Sequence, residues 1–160
     1  MTDSHIQLLL ATVDQAFDRR AWHGTPLAGT LRGVTWKEAL WRPRPGRHNI
    51  WELTLHTAYW KYVVRRRLTA APELAFPREG SNWPHLPIRP DARSWRRDLA
   101  LLRREHRLLR KVIEEFPAGR LQRRGWRSRR WTNIQQIYGI ASHDLYHAGQ
   151  IQLIKTLTAR

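Results

Sequence analysis

The amino-acid sequence reads as an all-α protein, a four-helix bundle with two long connections. Three observations lead there. Apolar residues recur at three- and four-residue spacing in four segments, alternating strand-like patterns are absent, and stretches rich in proline and glycine separate the segments. With 160 residues, 41% hydrophobic and 26% charged, the chain suits a single domain over 1–160 with one core.

The first segment opens near Ser4, a helix-capping residue type, and continues through Ile6, Leu9, Leu10, Val13 and Phe17. A helix is expected over residues 5–22, ending before Gly24 and Pro26, with His5 and His23 as ordinary residues of that helix. The connector that follows is rich in glycine and proline, with one helical turn expected at Thr35–Leu40. Asn49 then caps a second helix, and Glu52, three residues on, completes a variant of the capping box. Leu53, His56, Trp60, Val63 and Val64 line one face of this helix, which is expected to reach Leu68.

Residues 69–90 carry five of the nine prolines and cannot form a regular helix. A loop so long in a compact domain is more often functional or disordered than a mere connector, and Phe76, Trp83 and Leu86 give it apolar surface to pack down as a lid, with Trp83 as a pocket wall. Asp91 opens the third helix, whose apolar stripe runs Ala92, Trp95, Leu99, Leu102, His106, Leu109, Ile113 before Pro117 and Gly119 stop it. Residues 120–131 are basic and form a loop or a short hairpin. Thr132 or Asn133 caps the fourth helix, where Ile134, Ile137, Ile140, His143, His147, Ile151 and Ile154 hold one face.

Composition excludes several chemistries. There is no cysteine, hence no disulfide, thiolate metal site or cysteine nucleophile. No apolar run approaches the roughly 18–20 residues of a membrane span, and the start, Met1-Thr2-Asp3-Ser4-His5, lacks a signal-peptide pattern, so a cytoplasmic protein without a membrane partner is expected. The formal net charge of +16 would ordinarily point to nucleic acid. Only four of the 29 basic residues are lysine, however, an imbalance that GC-rich codon usage also produces. The arginines are spread over residues 65–67, 96–97, 103–104, 123–124 and 129–130 instead of forming one arm, so nucleic-acid binding stands as an alternative that is not favoured.

Chemistry concentrates on three histidines. His143 and His147 lie four residues apart, so a helix places them one turn apart on one face, within reach of a common divalent ion. Alone, that motif is equally an interior pair of hydrogen-bonded histidines. His56 shifts the balance, because an unpartnered imidazole on the inward face of the second helix costs free energy. If the second and fourth helices are neighbours, His56, His143 and His147 form a three-nitrogen set that leaves an ion its full charge and an open position. Asp144 follows the first histidine where zinc proteases carry glutamate; one methylene shorter, it suits holding an imidazole N–H or an arginine, not acting as general base. Gln150, one turn past His147, is the other supporting candidate, and no catalytic residue is assigned. Tyr146 falls nearly opposite the ligand face.

The remaining histidines carry less. His106 reads as a core histidine, with a fourth ligand as its alternative, while His48 and His85 read as surface residues near the bundle mouth. Gly149 sits inside a helix at a cost of about 1 kcal/mol relative to alanine, which a close approach by another helix would offset, inside the bundle or across a dimer contact. Of the nine tryptophans, Trp51 and Trp126 are interface candidates.

The segment His143-Asp144-Leu145-Tyr146-His147-Ala148-Gly149-Gln150-Ile151 closely resembles the last-helix signature of the DinB/YfiT-like superfamily. Arg42-Pro43, Pro45-Gly46, His48-Asn49-Ile50-Trp51-Glu52-Leu53 and His56 resemble the family's approach to its first ligand, and Phe76-Pro77-Arg78 with Asn82-Trp83-Pro84 its loop between the second and third helices. The resemblance implies a four-helix bundle, commonly a homodimer, whose ligands at matching positions are His56, His143 and His147. It implies a divalent metal, zinc or nickel first and iron or manganese next, and in some relatives a low-molecular-weight thiol cofactor for transferase or isomerase chemistry on a small molecule. Water as a hydrolase nucleophile stays open beside the thiol.

Overall fold

The computed structural model describes residues 3–72 and 74–159. It contains six α-helices, four of them long: α1 (Ser4–Phe17), α2 (Leu27–Thr30), α3 (Trp36–Leu40), α4 (Ile50–Thr69), α5 (Ala92–Glu114) and α6 (Asn133–Thr158). A 3-10 turn covers Ala118–Arg120, and the described residues hold no strand. None of these helices is long and apolar enough to cross a membrane.

Each long helix starts on a side chain that satisfies its free backbone N–H groups. Asn49 accepts from the Glu52 amide at 2.8 Å while Glu52 accepts from the Asn49 amide at 3.1 Å, the reciprocal box that the sequence predicts. Asp91 with Ser94 and Thr132 with Gln135 repeat the arrangement at α5 and α6. At α1 the cap is Asp3, not Ser4.

Helix α1 also ends at Phe17, five residues before the expected boundary. The apolar stripe itself ends there: Asp18, Arg19 and Arg20 offer nothing to the core, and Trp22 is fully exposed. His23 consequently lies outside the helix. The connector holds α2 as well as the expected turn, its Leu27 fully buried. The basic segment before α6 is a loop closed by one antiparallel bridge between Arg124 and Thr132.

The long helices form a ring in which α4 packs on α5 and α6, and α1 on the same two from the opposite side. Two apolar layers fill it. Trp51, Leu55, Trp95, Leu102 and Ile151 belong to one, and Ile6, Val13, Leu109, Ile113 and Ile137 to the other. Burying each such aliphatic side chain contributes roughly 1.5–3 kcal/mol. Between the layers, three helices turn polar and charged groups inward: Lys61 of α4, Glu105 and His106 of α5, and Asp144 of α6. Lys61 pairs with Asp144, and Arg65 with Glu105 at 2.9 Å.

Trp51 is no interface residue. It is completely buried, and its Nε1 donates to Asp98 at 2.8 Å. Gly149 meets nothing within 4 Å of where its Cβ would stand, so no helix approaches it closely within the chain. The loop, described over residues 70–72 and 74–91, folds onto α4 and α5 as a lid would. Phe76 packs its ring against Tyr59 and Tyr62 at 5.4 Å, and Arg78 reaches the buried carboxylate of Asp98.

Candidate metal centre

Because α4 and α6 are neighbours, His56 faces His143 and His147. Its Nε2 stands 3.0 Å from Nε2 of His143, which stands 3.1 Å from Nε2 of His147. His56 and His147 are buried, and His143 is half-buried. Ligand nitrogens about 2.0–2.1 Å from an ion lie about 2.9–3.4 Å apart at tetrahedral or octahedral angles; the two separations from His143 fall in that range, and all three ligand atoms lie within 4.8 Å of one another, a group that could hold a cation.

Protons sharpen the case. Nδ1 of His56 lies 2.6 Å from the backbone oxygen of Asn82, which only accepts, so Nδ1 carries the hydrogen. His147 donates from Nδ1 to the side-chain oxygen of Gln150 at 2.6 Å. Both neutral rings therefore aim an Nε2 lone pair at His143, whose own Nε2 supplies at most one hydrogen. Its Nδ1 is buried without a partner. Three inward nitrogens with one proton among them lack positive charge at their centre, and a divalent ion would supply it.

Electrostatics keep the rings neutral, the form a ligand needs. Burial, with a smaller contribution from His147, pushes His56 down to about 4. Burial and the neighbouring imidazoles push His143 down to about 3, and burial lowers His147.

The lid completes the surroundings. Trp83 lies flat between two imidazoles, 3.9 Å from His56 and 3.5 Å from His48. Asn82 adopts a left-handed φ of 63°, and its side chain accepts from Trp60 Nε1 at 2.8 Å while its backbone oxygen orients His56. Nothing in the sequence marked Asn82 except its place beside Trp83-Pro84; asparagine is among the few side chains that tolerate this backbone region. Two cavities flank the cluster, one of about 590 Å³ beside His143 and one of about 530 Å³ beside His147 and His48.

A family model described as the DinB superfamily matches residues 7–151, across all four long helices and all three histidines. The chain belongs to the DinB superfamily. No curated protein and no solved structure is significantly similar to it.

Within this DinB-superfamily bundle the supporting candidates part ways. Gln150 does hold a histidine. Asp144 touches neither an imidazole nor an arginine; it is wholly buried against Lys61 of α4. Lysine at position 61 gave no warning of this, because one inward lysine in a helix has no spacing pattern. His106 stands apart from the cluster, stacked on Phe17 at 3.7 Å, as a core histidine. His48 and His85 are exposed, His48 at the mouth beside Trp83.

Proposed function

We propose that this protein is a metal-dependent enzyme in which His56, His143 and His147 hold a divalent ion beside a small-molecule pocket. The convergence of three Nε2 atoms, two of them fixed as lone-pair donors by Asn82 and Gln150, carries the reading. Zinc or nickel suits three imidazoles, with iron or manganese next. The ion would supply a positive charge that favours the deprotonated form of a thiol or a water molecule, for transfer or hydrolysis. With no cysteine in the chain, a sulfur nucleophile would come from a low-molecular-weight thiol.

The protein's own part is positioning and shielding. Asn82 and Gln150 fix ring orientation, Trp83 covers His56, and the half-exposed His143 borders the larger cavity. A homodimer through α6 accompanies this reading: Tyr146, Leu153 and Leu157 leave a partly apolar exposed stripe around Gly149.

Cobalt substitution tests the open position. The cobalt-loaded protein should gain a sulfur-to-metal charge-transfer band when a small thiol is added, or change its visible bands with azide. A cobalt spectrum indifferent to both, or no cobalt uptake, contradicts the proposal.

A further inference from the structure

The cavity beside His143 has a composition that the metal centre alone does not require. From α4 it takes Trp60, Val64 and Arg67, and from α6 Gln136, Gly139, Ile140 and His143. The basic loop closes it with Arg127, Arg129, Arg130 and Trp131. Its volume of about 590 Å³ falls in the usual range of small-molecule sites.

Four arginines line this space and no aspartate or glutamate does: Arg67 is half-buried, Arg129 and Arg130 are exposed at its rim, and the exposed Arg127 rests its guanidinium over Trp126 at 4.5 Å. None of the four makes an ion pair among the described residues. Arg130 rests over Trp131 at 4.9 Å and Arg67 over Trp60 at 5.9 Å, so aromatic faces hold the planes; Arg67 spends one N–H on the side-chain oxygen of Gln136 at 3.4 Å and keeps its others, with those of Arg130, to fork an oxyanion. Gly139 adds an independent sign. It sits within α6, where glycine costs about 1 kcal/mol against alanine, yet its missing Cβ would meet nothing within 4 Å. Packing does not require the glycine; its effect is to leave the cavity wall open.

We propose that this cavity binds a small organic anion, its carboxylate or phosphate held by Arg67, Arg127, Arg129 and Arg130. Its apolar body lies on Trp60, Val64 and Ile140, with the far end against His143. As a substrate site the cavity rests on the metal-centre reading, whereas anion binding itself does not need the ion. Four uncompensated cations facing one space repel each other, and an oxyanion relieves that repulsion with charge-assisted hydrogen bonds. The aromatic floor selects a flat or branched apolar body over a bare inorganic ion.

Chelator-treated protein is titrated with 1-naphthylacetate, 1-naphthyl phosphate and the neutral 1-naphthylacetamide, followed by tryptophan fluorescence and calorimetry. At least one anion should bind about tenfold or more tightly than the amide, a gap that corresponds to about 1.4 kcal/mol; whichever is tighter identifies carboxylate or phosphate. The double variant Arg129→Gln/Arg130→Gln should lose most of that preference. Gly139→Leu should block all three ligands while circular dichroism shows an intact helical fold. Equal binding of acid and amide, or binding untouched by both variants, overturns the proposal. So does a short oligothymidylate that binds more tightly than either naphthyl anion. Metal content of untreated protein is measured in parallel, so failure of anion binding and failure of the metal centre are read separately.

Discussion

Lys61 and Asp144 form a completely buried ion pair that joins the two helices carrying the histidines, with Asp144 directly after His143 in the chain. Burial raises the Asp144 carboxyl above its usual range while Lys61 opposes the rise. Removing one partner strands a charge in the core. Lys61→Met and Asp144→Leu should each cost about 3–5 kcal/mol in urea unfolding, whereas the double variant Lys61→Met/Asp144→Leu should cost less than the sum. Additive losses would show that the two side chains do not act as a pair.

Acid should destabilise the metal-free protein. Burial, more than the nearby Lys61 and Arg110, pushes His106 down to about 2, so the folded state keeps it neutral. The unfolded chain protonates it near pH 6.5; stability is therefore full above that pH and falls below it, by up to about 1.4 kcal/mol per pH unit for each such histidine. His56 and His143 add to the slope. Unfolding free energies between about pH 6 and 4 should fall less steeply in His106→Leu, by roughly one proton's worth. An identical slope would mean that His106 is protonated in the fold.

Gln150 orients His147 without touching the other two rings. Gln150→Leu should weaken metal affinity about 10–100-fold in competition with a chelator, with little change in thermal stability. Unchanged affinity would show that His147 needs no external partner.

Gly125 fixes the basic loop to α4. A Cβ there would stand 2.7 Å from the side chains of Asn133 and Gln136 and 3.3 Å from the backbone oxygen of Arg67, which accepts from Trp126 N at 3.0 Å. Gly125→Ala should destabilise by about 1–3 kcal/mol and weaken naphthyl-anion binding. Native stability together with native anion affinity in this variant would refute that anchoring role.

The periodic part of the fold was legible in the sequence. Leu99, Leu102, His106 and Leu109 mark α5 as inward-facing at helical spacing, and Asn49 with Glu52 announce the start of α4. The histidine cluster was legible as well, because His143 and His147 share a helix face and His56 falls on another inward face. Less visible were features that depend on a partner distant in the chain. The end of α1 is less visible, because Ala21 and Trp22 extend the apolar pattern past Phe17 while Trp22 in fact lies fully exposed. The roles of Asn82, Lys61 and Trp51 arise from contacts with His56, Asp144 and Asp98, which no local pattern encodes.

The most direct test is an anomalous-difference map from crystals grown with zinc or nickel and measured at the metal's absorption edge. One peak within bonding reach of Nε2 of His56, His143 and His147 together is the predicted result. A peak elsewhere with none at the cluster, or a cluster whose three rings stay metal-free at saturating ion, would contradict it.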